Sequence, residues 1–121
     1  MNLTSKIREV WSKSVGFCTL IPLDSITTGQ SISSCVPYGI IHETDVQAAS
    51  YTNQGPRARY WKAKLELHLP SLAAANTILE EAPDLFGYNN QFYVESSTCD
   101  CLELDHWKIM LNLYHWEYIT E

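Results

Sequence analysis

Apolar residues recur at helical spacing at the start of the chain. Four of them share one stripe of a helix: Leu3, Ile7, Val10 and Trp11. Thr4 is placed to act as the N-cap of this helix, and Gly16 marks its end. The apolar run at residues 17–21 then predicts a short strand before Pro22.

Residues 57–69 alternate between two kinds of side chain, as a β-strand with two different faces does. One face is mainly apolar and carries Arg59, Trp61, Ala63, Leu65, Leu67 and Leu69. The other face is polar and carries Lys62, Lys64, Glu66 and His68. This pattern is typical of an antiparallel sheet with one covered face and one face in water, so we expect His68 to be solvated.

A helix is predicted directly after this strand. Ser71 is its N-cap and Pro83 ends it. Its buried stripe consists of Leu72, Ala75, Ile78, Leu79 and Ala82. The alanines in this stripe predict that the helix lies close to the sheet.

Further strands are predicted at residues 36–45 and 91–96, and a long strand or a bent pair of strands at residues 102–119. One face of the last segment carries Trp107, Ile109, Leu111 and Leu113. The opposite face carries Met110, Tyr114, Trp116 and Tyr118. Because both faces are partly apolar, we expect one to pack on the core and the other to contact another element or subunit.

Two polar stretches separate these elements. Residues 24–34 predict an exposed loop, and residues 51–55 predict a second polar loop. The chain has 121 residues, which favours a single domain over residues 1–121. The predicted fold is α+β, an antiparallel β-sheet with an N-terminal helix and a second helix packed on it.

The composition excludes some classes of function. Eight Lys and Arg residues face fourteen Asp and Glu residues, and the formal net charge is -6. Because the basic residues are dispersed, sequence-specific DNA binding is not expected. The N-terminus lacks the apolar core of a signal peptide, and the apolar stretch at residues 15–23 is too short to span a bilayer. We expect a protein made in the cytoplasm with no membrane partner.

No constellation of reactive residues stands out. Four cysteines, expected to be free thiols, are Cys18, Cys35, Cys99 and Cys101. Cys99 and Cys101 share a strand face near His106, but their spacing differs from that of a common zinc knuckle. His42 and Glu43 are adjacent, so on a strand they point to opposite faces. We therefore predict no catalytic residue, no metal and no cofactor.

The order of elements resembles the tail-completion or tail-terminator proteins of long-tailed bacteriophages. The resemblance covers the chain up to about Phe86 and rests on pattern. An N-terminal helix and a mobile loop precede a strand that begins Pro37-Tyr38-Gly-Ile-Ile. A polar turn containing Gly55, the strand at residues 57–69 and the Ala-rich helix at residues 71–82 follow. Residues 96–101 have no counterpart in this pattern.

The resemblance implies an α+β subunit of a ring, commonly a hexamer. Such a ring caps the tail tube, joins it to the neck or connector of the capsid in the virion, and lets DNA pass without specific binding. We expect the contacts to come from the loops at residues 24–34 and 48–56 and from the C-terminal aromatic residues. The candidate contact residues are Ile26, Gln30, Tyr51, Asn53, Arg57, Tyr114, Trp116 and Tyr118.

Three alternatives stay open at this point. Another neck or head-closure protein of the same virion would share this topology and differ in its neighbours. A small enzyme or ligand-binding module would use histidines and cysteines in a cleft, with His42 and His106 as the residues to test. A small phage inhibitor of a host protein would also fit an acidic chain with surface aromatic residues.

Overall fold

The strands of the chain build one mixed sheet, and the helices pack on it. The computed structural model describes residues 3–29, 35–52 and 55–118, and it describes side chains for residues 3–29, 35–43 and 60–116. The helices are α1 (Leu3–Ser12), α2 (Val15–Leu20) and α3 (Leu72–Leu85). The strands are β1 (Ile26–Thr28), β2 (Tyr38–Thr52), β3 (Gly55–Leu69), β4 (Phe92–Glu103) and β5 (His106–Tyr118). In the described residues they form a five-stranded sheet in the order β1-β2-β3-β5-β4.

The predicted α+β class is confirmed, with a mostly antiparallel sheet. β2, β3, β5 and β4 pair antiparallel in turn, and β1 pairs parallel with β2. β1 contacts β2 only over Gly39, Ile40 and Ile41, so most of β2 extends past it. None of the helices among the described residues has the length and apolar character needed to cross a membrane.

The three helices share one core with one face of the sheet. The strand residues of this core alternate as predicted: Ala63, Leu65, Leu67 and Leu69 from β3 and Ile109, Leu111 and Leu113 from β5. The helices contribute Ile7, Val10 and Trp11 from α1, Phe17 from α2, and Ala75, Ile78 and Ala82 from α3. Burying a large apolar side chain of this kind contributes about 1.5–3 kcal/mol. The apolar pattern therefore places every described helix on the same side of the sheet.

The prediction of a strand at residues 17–21 is wrong. Those residues belong to α2, because Ser14 caps the helix and its Oγ accepts a hydrogen bond from the Phe17 N–H at 3.1 Å. The Phe17 ring packs on Trp11 with 4.8 Å between the ring centroids. A five-residue apolar run does not distinguish a strand from one buried turn of helix. The first helix also ends at Ser12, before Gly16.

Two predicted helix ends differ in the structure. Thr4 lies inside α1, and its N–H and Oγ1 both donate to the Glu43 carboxylate of β2, at 2.9 and 2.6 Å. A carboxylate at this place also interacts favourably with the helix dipole. Pro83 does not end α3, which continues to Leu85, since a proline in the last turn removes a single hydrogen bond. The cap by Ser71 is confirmed, with the Ala74 N–H donating to its Oγ at 3.1 Å.

Three further predictions, about exposure and loops, differ from the structure in whole or in part. Leu72, predicted in the buried stripe of α3, is 45% exposed. It is the first residue of the helix and lies ahead of Ala75, where the buried side of α3 begins. The loop predicted at residues 24–34 contains the three-residue strand β1, held to α1 by Arg8, which donates to the Ile26 carbonyl at 2.5 Å. Of the second predicted loop, at residues 51–55, Tyr51 and Thr52 belong to β2 and Gly55 begins β3, while residues 53 and 54 lie outside the described residues.

Candidate functional site

The face of the sheet opposite the helices carries the features that invite a functional explanation. No helix covers this face in the described part of the chain, and we call it the open face. Its central residues come from three strands: Tyr38, Ile40 and His42 of β2, Tyr60, Lys62, Lys64, Glu66 and His68 of β3, and Lys108, Met110, Asn112, Tyr114 and Trp116 of β5. Acid–base groups gather at one end of it and aromatic rings at the other.

Three histidines and one glutamate form a hydrogen-bonded chain at the first end. We call it the histidine–glutamate chain: His42, Glu66, His68 and His106. Glu66 lies at its centre, with Oε1 at 3.3 Å from His42 Nε2 and Oε2 at 2.6 Å from His68 Nε2. His68 Nδ1 lies 2.7 Å from His106 Nε2. The sheet order brings these residues together, because β2, β3 and β5 are neighbours.

His68 is buried, which corrects the prediction that it is solvated. Only 5% of the residue is exposed, although it points to the face without helices. The Tyr38 ring stacks on it, with 4.3 Å between centroids and 14° between planes. His106 covers another side, at 4.9 Å between centroids. Long side chains on neighbouring strands therefore exclude water where no helix does.

The surroundings of Glu66 keep its carboxylate ionised. Burial by itself raises the pKa of Glu66, but the hydrogen bonds from His68 and His42 and the positive charges of His68 and Lys108 more than offset it. The pKa of Glu66 is therefore lower than its ordinary value. The pKa of Tyr38 is raised, first by burial and then by the negative charge of Glu66. Tyr38 therefore remains a neutral phenol beside the carboxylate.

The chemistry of these groups decides which atom donates in each hydrogen bond of the histidine–glutamate chain. An ionised carboxylate only accepts hydrogen bonds, so His68 donates from Nε2 to Glu66. The bond between His68 Nδ1 and His106 Nε2 holds one proton, and one of the two nitrogens must accept it. If both nitrogens carried a proton, two N–H groups would face each other and the bond would break. The contact between His68 and His106 thus depends on the protonation of the pair.

The same geometry does not converge on a metal ion. His68 uses both ring nitrogens for neighbours on opposite sides of its ring, so the four residues form a line. Among the described residues there is no group of three or more His, Cys, Asp or Glu that could hold a metal. Cys18, Cys99 and Cys101 are free thiols, as predicted, and Cys99 and Cys101 lie on the edge strand β4.

The other end of the open face is aromatic. Tyr114 is central, with its ring 6.4 Å from those of Tyr60 and Tyr93 and 5.2 Å from the Lys62 Nζ. Tyr93 is 58% exposed. Exposed tyrosines in contact with one another give a large contact area that costs little entropy to order.

Trp116 extends this aromatic area around the end of the sheet. Its ring lies 5.8 Å from that of Tyr88, and its backbone N–H donates to the Gln91 carbonyl at 3.1 Å. An open groove of about 330 Å³ lies here, lined mainly by Pro83, Phe86, Tyr88, Phe92, Tyr93, Val94 and Trp116. The groove belongs to the same end of the molecule as Tyr114.

The structure places only some of the predicted contact residues. Ile26 was predicted in an exposed loop, but it is 2% exposed and belongs to the core, so its side chain is not available to a neighbour. Gln30 and Asn53 lie outside the described residues. Tyr51 and Arg57 lie in the β2–β3 hairpin. Their side chains, like that of Tyr118 in β5, are outside the described part. Tyr114 and Trp116 are half-buried on the open face.

Sequence reasoning missed the histidine–glutamate chain. It placed Glu66 and His68 on one polar strand face, which is correct, but it treated each histidine separately. The missing information was which strands are neighbours and in what register: Tyr38 opposite His68, and His68 opposite Lys108. A comparison of the sequence with protein-family models and with curated proteins finds no match. We therefore infer the function from the residues of this chain.

Proposed function

We propose that the protein is a structural virion protein of a long-tailed bacteriophage that forms a ring, expected to be a hexamer, at the head-proximal end of the tail. The ring ends the growth of the tail tube and joins the tail to the neck. Its partners are further copies of the chain, the tail-tube protein and a neck or connector protein. DNA passes the ring as cargo, and the ring assembles in the host cytoplasm.

One observation carries this proposal: the subunit has a helix-covered face and an open face with aromatic rings at one end. A sheet that carries large apolar groups on both faces is usually covered on both. Here Tyr93 is 58% exposed and Tyr88 is 76% exposed. A neighbouring protein is the most direct cover for such rings, and Tyr and Trp recur among the residues that contribute most to protein interfaces.

The order of elements gives a second support. An N-terminal helix, the β2–β3 hairpin and the helix α3 follow one another in the order on which the resemblance to tail-terminator proteins rests. A ring subunit needs two different surfaces that fit each other, because a head-to-tail contact uses one patch on each side. The open face, with its exposed aromatic rings, and the helix-covered face of this chain are two such different surfaces.

The test measures the mass of the protein by light scattering over a concentration series, with and without polymerised tail-tube protein. We expect a closed ring, or a subunit that binds tube ends and fixes the tube length. Binding to portal or connector protein in place of the tube would instead identify another neck component. A monomer that ignores tubes and connectors at every concentration would refute the proposal.

A pair of variants links the result to the aromatic end. Tyr114→Ala removes the central ring, and we expect weaker binding to tubes or to neighbouring copies with the fold retained. Glu81→Ala is the control, because Glu81 is exposed on the helix side of the molecule. Circular dichroism checks that both variants fold. Equal binding by both variants and the unchanged protein would exclude Tyr114 from the interface.

A further inference from the structure

The outer edge of the sheet at β4 is open to pairing. β4 is the last strand in the sheet order, so among the described residues no strand pairs with its outer side. Residues 96–102 read Ser-Ser-Thr-Cys-Asp-Cys-Leu, and all of them except Cys99 are exposed. Natural edge strands prevent edge-to-edge pairing with lysine, proline or inward-pointing charges. This stretch contains no basic residue and no proline, and Asp100 is its single charge.

A second open edge lies on the other side of the sheet. β1 pairs with β2 only at residues 39–41, so on the outer side of β2 no strand of the described part lies beside residues 42–52. Residues 46–52 read Val-Gln-Ala-Ala-Ser-Tyr-Thr and contain no charge and no proline. Each edge thus presents a row of backbone groups without the usual protection.

The strand directions make these two edges compatible. β2 and β3 are antiparallel, β3 and β5 are antiparallel, and β5 and β4 are antiparallel. β4 therefore runs opposite to β2. Across the sheet, Ser96 is level with Asn112, Lys64 and His42, so the stretches 96–102 and 46–52 lie at opposite ends of it. When a second copy has the same orientation and is displaced along the strands until its residues 46–52 lie beside residues 96–102, its β2 is antiparallel to β4 of the first copy. A sheet that closes on itself requires such a stagger between strands. The antiparallel order of the strands then continues across the contact between the two copies. Each copy uses two different edges, one at β4 and one at β2.

We propose that β4 of one copy pairs with β2 of the next copy at residues 96–102 and 46–52, so that the sheet continues from subunit to subunit. This inference rests on the proposed ring, because a head-to-tail contact that closes by rotation gives a ring. The pairing between β2 and β3 is irregular between Glu43 and Val46 and again near Ser50. Such bulges bend and twist a strand, and a sheet that closes around an axis must bend.

Hydrogen exchange measures this contact directly. Peptides covering residues 96–102 and 46–52 are compared below and above the concentration at which the protein assembles. We expect both segments to exchange more slowly in the assembled protein, because their outward N–H groups become hydrogen-bonded. Protection on the open face without protection of β4 would overturn the inference and leave the ring intact. Protection of β4 without β2 would also overturn it, in favour of a symmetric pairing of two β4 strands.

Two lysine variants separate the edge from the open face. Thr98→Lys adds a charge to the edge strand, and we expect the concentration needed for assembly to rise about tenfold or more. Met110→Lys adds the same charge to the inner strand β5, directly opposite Thr98, and we expect no such rise if the contact is made by edges. Circular dichroism and the exchange data confirm that each variant is folded. If Met110→Lys prevents assembly and Thr98→Lys does not, the inference is wrong. If the unchanged protein never assembles, with or without tubes, the ring and the edge pairing both fail.

Discussion

Replacing Glu66 by glutamine tests the physical basis of the histidine–glutamate chain. The change keeps the shape of the side chain and removes its charge. Glu66 accepts from His68 at 2.6 Å in a buried position and from His42 at 3.3 Å near the surface. A glutamine can still accept one hydrogen bond through its carbonyl oxygen, but its NH₂ group is a donor. In the variant both histidines therefore face an uncharged group, and at least one of the two hydrogen bonds loses its acceptor oxygen.

The expected cost follows from the strength of these bonds. A hydrogen bond to a charged group contributes about 1.5–3 kcal/mol, and one between neutral groups about 0.5–1.5 kcal/mol. The hydrogen bond between His42 and Glu66 contributes less to stability, because the His42 side chain is 39% exposed and solvent screens the pair. The hydrogen bond between His68 and Glu66 contributes nearly its full strength, because the His68 side chain is 6% exposed. We expect Glu66→Gln to lower the free energy of unfolding by about 1–2 kcal/mol at pH 7.

The loss depends on pH in a defined direction. The pKa of Glu66 is lower in the folded protein than its ordinary value of 4.5, so the ionised form favours folding. This contribution is complete above the pKa of the unfolded chain and disappears as the pH falls through the lower pKa of the folded chain. We therefore expect the difference between the unchanged protein and Glu66→Gln to be largest near neutral pH and to shrink below about pH 4.5.

Urea unfolding followed by tryptophan fluorescence, in a series from neutral pH to about pH 3.5, measures this difference. Glu81→Gln is the matched control, because it removes the same charge from an exposed position on α3. The reasoning is refuted if Glu66→Gln unfolds at the same urea concentration as the unchanged protein at pH 7. It is refuted equally if the difference persists unchanged at the acidic end of the series.

Two further predictions concern single sites. A methyl group at Gly87 would lie 2.8 Å from the Pro83 carbonyl oxygen, so we expect Gly87→Ala to cost about 1–3 kcal/mol in urea unfolding. Gly16→Ala is the control in α2, where the methyl group would lie 3.8 Å from the Ser14 Oγ, an ordinary contact, and it should stabilise the protein or leave its stability unchanged. Burial, with the negative charges of Asp100 and Cys101, raises the pKa of Cys99. Iodoacetamide should therefore modify the exposed Cys101 before Cys99, as measured by mass spectrometry of peptides.

Each of these two predictions, for Gly87 and for Cys99, has an outcome that would contradict it. Equal unfolding curves for Gly87→Ala and Gly16→Ala would mean that the backbone at the end of α3 adapts freely. For the cysteines, the same alkylation in urea is the control, because unfolding removes the burial of Cys99. If Cys99 reacts first in the folded protein, its environment differs from the one described.

The faces of the strands could be predicted from the sequence, because side chains alternate with a period of two residues. Leu65 and Leu67 lie in the core, and so do Ile109 and Leu111, as their spacing required. Short segments were harder. Phe17 belongs to a helix because Ser14 caps it and Trp11 packs on it, and neither contact is visible in a run of apolar letters.

The candidate site could not be predicted for a different reason. The spacing of Glu66 and His68 shows that they share a strand face, but it does not show what stands opposite them. The neighbours come from β2 and β5, and the sequence separation is 24 positions for His42 and Glu66 and 38 positions for His68 and His106. Only the strand order and register bring these groups together. Burial of His68 followed from the same arrangement, because its cover comes from the other two strands.

Different surfaces of the subunit carry the different proposed contacts. The edges at β2 and β4 present backbone groups that can pair with further copies of the chain. Hydrogen exchange at residues 46–52 and 96–102 measures this pairing. The open face presents Tyr114 and Tyr93 at one end and the histidine–glutamate chain at the other, so a partner on this face meets rings and titratable groups together. Thr98→Lys alters the edge and Tyr114→Ala alters the face. A protein that loses ring formation with the first change and tube binding with the second would use the two surfaces for the two tasks that a tail terminator must perform.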